Sequence, residues 1–354
     1  MNTFGKTLIQ WYLNHKRDLP WRETKDPFKI WLSEIILQQT RVDQGLNYYL
    51  KFIQRFENVH ELASAEQDEV LKLWQGLGYY SRARNLHSAA KQVVEEYNGN
   101  FPNSFKELKK LKGVGDYTAA AIASFSFKEP VATVDGNVYR VLARNFDIET
   151  PIDTTEGKRA FNTLANSLIE KESPDLFNQA MMEFGAIQCT PKKPNCTECI
   201  FKTSCLALEK NTIDIRPIKS KKVKQRNRYF HFFIFKAGNS TFIRQRTAKD
   251  IWQGLYEFPL AETKVSIPTE QIITEYQLIE EFTGTTSFEI KSVSTPIKHI
   301  LSHQIIHTVF WHLDLKEKPN GKKIKAYKEV GTHEIDTFAL PRLIDRYLEN
   351  KKGI

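Results

Sequence analysis

The sequence has no long apolar run, and this absence limits where the protein can act. No stretch of its 354 residues approaches the roughly 20 consecutive apolar residues that a membrane-spanning helix requires. The N-terminus also lacks the apolar core followed by small residues that marks a signal peptide. We therefore expect a cytoplasmic protein with no membrane partner. No internal repeat or low-complexity tract is found either, which argues against a repeat architecture and against disorder.

Cysteine is scarce, and the few cysteines are clustered. The chain has 4 cysteines, and all of them fall between Cys189 and Cys205. A disulfide framework would scatter them along the chain, so we expect a reducing compartment and one local cysteine site. Their spacing is Cys189-x6-Cys196-x2-Cys199-x5-Cys205. Four thiolates in one loop can converge on one metal centre, and both a tetrahedral zinc ion and a [4Fe-4S] cluster suit such ligands.

Acidic residues are outnumbered by basic ones. The chain has 51 Lys and Arg against 42 Asp and Glu, which gives a formal net charge of +9. Such a surplus makes a polyanionic partner plausible. Part of it lies in "RPIKSKKVKQRNR", Arg216 to Arg228, which has the composition of an exposed linker. Either a solvated connector or a contact with nucleic-acid phosphates would account for this stretch.

The pattern of apolar residues changes after the cysteines. From Phe4 to about Leu208 apolar residues recur at helical spacing, as in "WLSEIILQQT" and "DEVLKLWQGL". From Tyr229 onward, short runs rich in aromatic and β-branched residues, such as "YFHFFIFKAG", predict strands, with helical segments near 269–282 and 340–349. We therefore predict an all-α domain (1–210), a basic interdomain linker (211–228) and an α+β domain (229–354).

The stretch "LKGVGDYTAAAIASF" places two glycines one residue apart directly before an alanine-rich helix. A Gly-x-Gly turn of this kind leaves backbone N–H groups pointing outward at the positive end of the helix dipole, where an anion binds well. A helix-hairpin corner that needs close packing would use the same residues. Both interpretations stay open on this stretch alone.

Two carboxylates stand out by their surroundings. Glu34 lies on a predicted helix with Ile30 and Trp31 before it and Leu37 after it, so it shares an apolar face. Ionising a carboxylate there is costly, and its pKa should rise. Asp135 follows the apolar "VATV" and opens a helical pattern, where it would act as a helix N-cap worth about 1 kcal/mol.

These features together resemble the endonuclease III superfamily of DNA glycosylases, which carries a helix-hairpin-helix. Leu111, Gly113, Gly115 and Thr118 fall where its L-P-G-V-G-x-x-T-A pattern expects them, while Lys112 replaces the usual proline. The resemblance implies that the N–H groups of the two glycines hold a DNA phosphate. The cysteine spacing is similar to the iron-sulfur loop of that superfamily, which implies a structural [4Fe-4S] cluster.

The N-terminal stretch "LPWRETKDPFKIWLSEIILQQTRVDQ" closely resembles MutY-type adenine DNA glycosylases. The resemblance implies a base-excision enzyme that acts on double-stranded DNA, and in a bacterium the protein would be associated with the nucleoid. In such an enzyme, protonated Glu34 would donate a proton to adenine N7. Ionised Asp135 would stabilise the positively charged sugar and either assist water or form a transient covalent adduct.

The resemblance also gives roles to two neighbours of these carboxylates. Bifunctional lyases of the superfamily have a lysine where this chain has Tyr117, and that lysine forms a Schiff base with the sugar. A phenol cannot form an imine, so we expect a monofunctional glycosylase that leaves the DNA backbone intact. By resemblance, Tyr117 would form a hydrogen bond beside Asp135, and Asn137 would position water or Glu34.

Further residues are assigned to DNA by the same resemblance. A base inside a duplex is unreachable, so adenine must rotate out into a pocket. The matching residues fall into three groups: the adenine pocket (Trp21, Arg22 and Glu183), the wedge with its contacts to the opposing base (Gln39 and Thr40), and an aromatic residue inserted beside that base (Tyr79).

The stretch "IWQGLYEFP" is similar to the MutT-like, or Nudix-like, C-terminal domain of these glycosylases, which recognises 8-oxoguanine opposite the adenine. MutT-type hydrolases bind metal through an R-E-x-x-E-E helix, and Glu280 and Glu281 lack its arginine and its spacing. In the family a Phe-Ser-His loop contacts the oxidised guanine. Ser302 and His303 retain two of its residues, while Leu301 replaces the phenylalanine.

The leading hypothesis is therefore a monomeric, multidomain adenine glycosylase that acts on adenine opposite 8-oxoguanine and, more weakly, opposite guanine. A superfamily glycosylase for another lesion is the nearest alternative, although the MutY-like N-terminus, Tyr117 and the second domain count against it. A non-catalytic damage-binding protein would have no reason to keep both Glu34 and Asp135. A metal-dependent nucleotide hydrolase would need the acidic helix that the sequence lacks.

Overall fold

The computed structural model divides the chain into two compact units. The residues it describes are 3–220, 225–268, Gln271 and 277–351. The first unit comprises Met1–Ser64 and Asn85–Lys222, and the second comprises Ala65–Arg84 and Val223–Ile354. Residues 65–84, which the helical pattern places in the all-α domain, thus pack with the C-terminal residues. No helix in the described part of the chain is long and apolar enough to cross a membrane.

Helices account for nearly all regular structure before residue 220, as the apolar periodicity predicts. They are α1 (Thr3–His15), α2 (Pro27–Leu37), α3 (Val42–Arg55), α4 (Val59–Ser64), α5 (Gln67–Leu73), α6 (Ser81–Tyr97), α7 (Phe105–Leu108), α8 (Asp116–Phe127), α9 (Gly136–Asn145), α10 (Thr155–Leu168), α11 (Pro174–Glu183) and α12 (Leu206–Glu209). Helix α5 and the start of α6 belong to the second unit, and the other helices belong to the first.

Local sequence explains where the helices of the site begin. Asp26 caps α2 by accepting a hydrogen bond from the Phe28 N–H at 2.9 Å, and Pro27 occupies the first helical position. Helix α8 begins after Gly115, and its alanines are buried. Because alanine side chains are small, α8 packs closely against both α2 and α11. This packing brings Tyr117, at the start of α8, toward α2.

The second unit combines helices with two sheets, as an α+β domain should. Its strands are β1 (Arg226–Lys236), β2 (Ser240–Gln245), β3 (Tyr256–Glu257), β4 (Leu260–Thr263), β5 (Phe288–Val293), β6 (Ile297–Ile300), β7 (Gln304–Leu315) and β8 (Lys328–Gly331). One sheet has the order β4-β1-β7-β5, with β6 also paired to β7, and the other has the order β3-β2-β8. Strands β1 and β7 are parallel, and the remaining pairs are antiparallel.

The centre of the first sheet is buried on both faces. In β1 every residue from Phe230 to Phe235 is buried, which explains why the run is apolar except for His231. Helices α13 (Gln277–Thr283) and α14 (Arg342–Lys351) complete the described part of this unit. Helix α14 matches the segment predicted near 340–349. Of the segment predicted near 269–282, residues 269–270 and 272–276 lie outside the described residues.

The basic stretch from Arg216 to Arg228 is not a simple exposed linker. Arg216 is buried, and its guanidinium donates hydrogen bonds to Asp147 and Glu149 at 2.8 and 2.7 Å. Arg228 lies in β1 and pairs with carboxylates of its own unit. Both arginines are neutralised inside the protein, so the prediction of a solvated connector is wrong at these two positions. Residues 221–224 of this stretch lie outside the described residues.

Candidate active site

One cavity of the first unit gathers nine of the residues that the sequence assigns to chemistry or to DNA. Its volume is about 820 Å³, and it lies where α2, α8, α9 and α11 meet. The nine residues are Trp21, Arg22, Glu34, Gln39, Thr40, Tyr117, Asp135, Asn137 and Glu183.

Glu34 lies on α2 with its carboxyl group turned into this cavity. The residue is only 6% exposed. Burial raises the pKa of its carboxyl from 4.5 to about 7, and the negative charge of Asp135 adds to the rise. A hydrogen bond from Tyr117 and the positive charge of Arg22 oppose it. The predicted upward shift is therefore present, and it leaves Glu34 able to hold a proton near neutral pH.

Tyr117 contacts Glu34 rather than Asp135. Its hydroxyl donates a hydrogen bond to Glu34 Oε2 at 2.6 Å and lies 3.2 Å from the sulfur of Met182. The acceptor of the hydrogen bond predicted for Tyr117 is therefore Glu34, and Asp135 is near enough to interact electrostatically with both residues. Burial raises the pKa of Tyr117 well above its usual value of 10, so the hydroxyl stays protonated and remains a donor.

Asp135 caps α9 and is held by three donors. Its Oδ1 accepts from the N–H groups of Asn137 and Val138 at 2.9 and 2.8 Å, and its Oδ2 accepts from the Asn137 side-chain amide at 2.9 Å. Burial raises the pKa of this carboxyl, while these hydrogen bonds and the charge of Arg140 oppose the rise. Asn137 therefore positions Asp135, and its predicted role of positioning water or Glu34 stays a prediction.

Arg140 is a part of the site that sequence reasoning missed. Its guanidinium donates to Asn137 Oδ1 at 2.8 Å, to the Gly185 carbonyl at 2.5 Å and to the Cys189 carbonyl at 2.7 Å. The sequence offered one signal: Arg140 follows Asn137 by three residues on a predicted helix, and residues at this spacing share a face. Arg140 fixes the amide that in turn holds Asp135.

The pocket residue Glu183 is paired with two arginines. It accepts hydrogen bonds from Arg22 at 2.6 Å and from Arg17 at 2.6 and 2.8 Å. Burial would raise the pKa of this carboxyl, but the bonds from Arg17 and Arg22 lower it to about 2. Arg17 was missed, although it stands five residues before Arg22 across the turn that carries Trp21. Glu183 is therefore permanently charged at physiological pH, unlike Glu34.

The turn after α2 has a strained backbone. Gln39 has a φ angle of +57°, in the left-handed region that residues with side chains rarely adopt. The Thr40 N–H closes the turn on the Leu37 carbonyl at 3.1 Å, and the Gln38 amide donates to Thr118 at 3.1 Å. Strain of this kind persists only where the surroundings enforce it, and it is common at functional sites.

The two glycines before α8 differ in what they require. Gly113 has a φ angle of +75°, and a Cβ atom there would lie 2.6 Å from the Cβ of Asn85. Gly115 caps α8, and a Cβ atom there would meet nothing within 4 Å. Within the described residues, the N–H groups of Gly113 and Gly115 have no acceptor. The close approach at Gly113 agrees with the close-packing interpretation, and the anion-binding interpretation stays a prediction.

Comparisons with known proteins agree with this architecture. The family model described as "HhH-GPD superfamily base excision DNA repair protein" matches residues 32–167, and the model for the NUDIX domain matches residues 230–350. An adenine DNA glycosylase of Buchnera aphidicola subsp. Schizaphis graminum is 33% identical over 352 residues, which cover 98% of this chain and 98% of that protein. The chain belongs to the adenine DNA glycosylase family.

Other relatives support the same assignment. The adenine DNA glycosylase of Homo sapiens is 42% identical over 219 residues, which cover 59% of this chain and 40% of that protein. A solved thermostable thymine-DNA glycosylase aligns with a TM-score of 0.55 and 32% identity, covering 58% of this chain and 95% of that one. A solved endonuclease III bound to DNA shares the fold, with a TM-score of 0.51. The chain is thus an N-glycosylase of base excision repair, as the sequence predicts.

The four cysteines of this glycosylase line one small cavity. Its lining includes Cys189, Cys196, Cys199 and Cys205 together with Leu208 and Ile213. Burial raises the pKa of the Cys199 thiol to about 11, and the neighbouring sulfurs add to the rise. Among the described residues, no three His, Cys, Asp or Glu side chains are arranged to hold a single metal ion.

Three of the residues predicted to contact the opposing base, Tyr79, Ser302 and His303, belong to the second unit of this glycosylase. Tyr79 is 45% exposed, and its hydroxyl lies 2.5 Å from Ser302 Oγ. Ser302 and His303 are exposed in the turn between β6 and β7, which the Leu301 N–H closes on the Gln304 carbonyl at 2.8 Å. Tyr79 and Ser302, which the sequence places more than 200 residues apart, are therefore in contact.

Proposed function

We propose that this protein removes adenine paired with 8-oxoguanine, and more weakly adenine paired with guanine, and leaves an abasic site. The observation that carries the proposal is the presence of two buried carboxyl groups in one cavity with different surroundings. Glu34 has a pKa of about 7, whereas three donors hold the charge on Asp135. Glycosidic bond cleavage needs this division of labour between an acid and an anion.

The acid step uses the hydrogen bond between Tyr117 and Glu34. The tyrosine hydroxyl donates to Oε2 of Glu34, which leaves the proton of the carboxyl on Oε1. From there it passes to N7 of a flipped adenine. Protonation at N7 makes the base a better leaving group, and the electrons of the N-glycosidic bond move onto the base as the bond breaks.

The anion step belongs to Asp135. Loss of the base leaves an oxocarbenium-like sugar, whose positive charge the carboxylate stabilises at close range. Water then adds to the anomeric carbon and gives its proton to a carboxylate of the site. Asn137 and Arg140 contribute by holding Asp135 in place, since the amide of Asn137 is fixed on both sides.

The reaction should stop at the abasic site. A lyase step needs an amine that condenses with the sugar to an imine. None of the described residues that line the cavity is a lysine, and Tyr117 supplies a phenol instead. We therefore propose a monofunctional glycosylase.

Adenine would be recognised between Trp21 and the charged group of Arg22 and Glu183. Trp21 offers an apolar face for the base, and the ion pair offers both donors and an acceptor to its polar edge. Because Arg17 also binds Glu183, the carboxylate stays in one orientation. A rigid polar edge discriminates against bases that lack the matching groups.

The remaining assignments concern DNA outside the adenine pocket. The outward N–H groups of Gly113 and Gly115 suit a phosphate at the start of α8. The strained Gln39 and its neighbour Thr40 would fill the gap that adenine leaves in the duplex. In the second unit, Tyr79, Ser302 and His303 would contact the opposing base, where 8-oxoguanine differs from guanine by an N–H at position 7 and a carbonyl at position 8.

We assign a [4Fe-4S] cluster to the cysteine loop because its spacing is similar to that of the iron-sulfur loop of the endonuclease III superfamily. Its donor set is entirely sulfur, which suits such a cluster. Cys189, Cys196, Cys199 and Cys205 line one cavity, so their sulfurs are close enough to share one centre. When bound, the cluster would fix the loop and leave no open coordination position for substrate. Iron and sulfide analysis should then give about four of each per chain.

The experiment that tests the function is a single-turnover assay on duplexes with one adenine opposite 8-oxoguanine, guanine or thymine. Each sample is split, and half is treated with alkali to cleave abasic sites. We expect strand breaks only after alkali, fastest opposite 8-oxoguanine, and lost in Glu34→Gln and Asp135→Asn. Glu172→Gln, a change at an exposed residue of the same unit, is the matched control. Breaks without alkali, or activity in either variant, would overturn the proposal.

A further inference from the structure

The stretch "IWQGLYEFP" has no part in the chemistry described above, yet it makes specific contacts. Gly254, the glycine of this stretch, has a φ angle of +86°, and a Cβ atom there would lie 3.0 Å from Leu71 Cδ1 and 3.6 Å from Arg84 Cδ. The positive φ angle favours glycine at this position, and a Cβ atom would crowd the side chain of Leu71. The turn from Trp252 to Tyr256 is therefore shaped to receive residues of the segment 65–84, which lies in the same unit.

Arg84 makes the strongest of these contacts. Its guanidinium donates to the Gln253 carbonyl at 2.5 Å and to the Gln253 side-chain oxygen at 3.3 Å. Burial lowers the pKa of Arg84, which indicates that the charge is partly removed from water. A charged donor removed from water and bound to one residue fixes that residue's position more strongly than an exposed contact would.

Asp68 and Lys72 add a second and a third attachment. Asp68 accepts hydrogen bonds from the Tyr256 hydroxyl at 2.7 Å and from the Gln245 amide at 2.8 Å. Lys72 donates to the Phe338 carbonyl at 3.0 Å. The segment is thus held on both sides of its loop, by α5 before the loop and by the start of α6 after it.

The loop between these attachments carries Tyr79. Its backbone is bent at Gly76, Gly78 and Tyr79, which all have positive φ angles. The Tyr79 ring lies 5.7 Å from the guanidinium of Arg82, and its hydroxyl reaches Ser302. With 45% of the residue exposed, little packing holds the ring in this orientation. Its position therefore depends on where the two ends of the loop are fixed.

We propose that the turn Trp252–Tyr256 positions Tyr79 for lesion recognition, with Arg84 as the main positioning residue and Tyr256 as a second one. The turn holds the loop so that the Tyr79 hydroxyl meets Ser302 before DNA binds. The inference rests on the proposed function, in which this pair contacts the base opposite the adenine. It gives the "IWQGLYEFP" motif a role in specificity rather than in nucleotide hydrolysis.

The physical argument is one of preorganisation. A base that differs from guanine at two adjacent atoms is distinguished more strongly when the contacting groups are already in place. If Arg84 no longer holds Gln253, the loop gains freedom and the hydrogen bond between Tyr79 and Ser302 must be formed at the cost of entropy. Preference for 8-oxoguanine should fall, while excision opposite guanine, which gains less from this pair, should change little.

The test measures single-turnover rate constants of the full chain on adenine opposite 8-oxoguanine and opposite guanine. These constants do not depend on the active fraction, so partial misfolding cannot mimic the effect. For Arg84→Met we expect the ratio of the two constants to fall about tenfold, which is the worth of one hydrogen bond of about 1.4 kcal/mol. Arg84→Lys, which keeps one donor, should restore part of the ratio.

Tyr256→Phe tests the same idea with a smaller change, since it removes only the hydroxyl bound to Asp68. We expect a fall of about threefold. Tyr347→Phe is the matched control, because it removes a hydroxyl bound to His312 in the same unit. An unchanged ratio in both Arg84→Met and Tyr256→Phe, with the preference of the wild type intact, would overturn the inference alone. A wild type without preference would overturn both the inference and the lesion-recognition part of the proposed function.

Discussion

Replacing Glu34 by glutamine should abolish activity and stabilise the protein at the same time. Burial raises the pKa of this carboxyl from 4.5 to about 7, because its charged form is poorly solvated. Between about pH 4.5 and about pH 7, the Glu34 carboxyl is more protonated in the folded protein than in the unfolded chain. The contribution of Glu34 to the stability of the wild type therefore falls as pH rises from about 4.5 to about 7 and levels off above it. Glutamine keeps the shape of the side chain without the charge.

The size of the effect follows from the two pKa values. The difference between 4.5 and about 7 corresponds to about 3 kcal/mol of unfolding free energy. The buried Glu34 carboxyl therefore lowers the unfolding free energy of the wild type by about 1 kcal/mol at about pH 5 and by about 3 kcal/mol at about pH 8. The advantage of Glu34→Gln should grow by about 2 kcal/mol over this range, while the Tyr117 hydroxyl still finds an amide oxygen to bind.

Urea unfolding of the wild type and the variant between about pH 5 and pH 8 measures this difference. Glu183→Gln is the control. Its carboxyl has a pKa lowered to about 2, so its contribution is present above the ordinary value of 4.5 and lost only as pH falls toward 2. This variant should lose about 3 kcal/mol of unfolding free energy with little dependence on pH. Because Glu183 lies in the first unit, the loss also shows which unfolding transition belongs to that unit. The reasoning would be refuted if the unfolding free energies of the wild type and Glu34→Gln changed with pH in the same way.

Three further predictions concern the same unit. The single-turnover rate should fall as pH rises through about 7, because Glu34 loses its proton. Tyr117→Phe removes a hydrogen bond that lowers the pKa of Glu34, so this variant should move the midpoint of the pH–rate profile to higher pH. Arg17→Met should raise the pKa of Glu183, seen by NMR titration, and weaken adenine recognition. Gly113→Ala should destabilise by about 1–2 kcal/mol in urea unfolding because of its positive φ, whereas Gly115→Ala should be close to neutral.

Features that depend on near neighbours in the sequence were predictable. The buried face of Glu34 follows from apolar residues three and four positions away, and the cap formed by Asp135 follows from its place before a helix. The strands of the second unit follow from short aromatic runs. The hydrogen-bond partner of Tyr117 was not predictable from the sequence, because Glu34 lies 83 residues before it and reaches it only through the packing of α8 on α2.

The grouping of residues 65–84 with the second unit could not be read from periodicity. A helical pattern indicates that α5 has an apolar face, but it does not say which residues cover that face. The signal lay in the distant motif "IWQGLYEFP", whose glycine adopts a positive φ against Leu71. A glycine that is needed for close approach identifies a contact without naming the partner.

Glu34 and Glu183 show most clearly why the chemistry of the site needs the fold. Both are buried glutamates on helices that line one cavity, yet the pKa of one is raised to about 7 and that of the other is lowered to about 2. The difference lies in their partners: Glu34 accepts from a neutral tyrosine, whereas Glu183 accepts from two arginines that stand more than 160 residues before it. Burial raises the pKa of a carboxyl group, and paired guanidinium groups reverse the direction of this pKa shift. The same residue type thus serves as an acid at one wall of the cavity and as a fixed charge at the other.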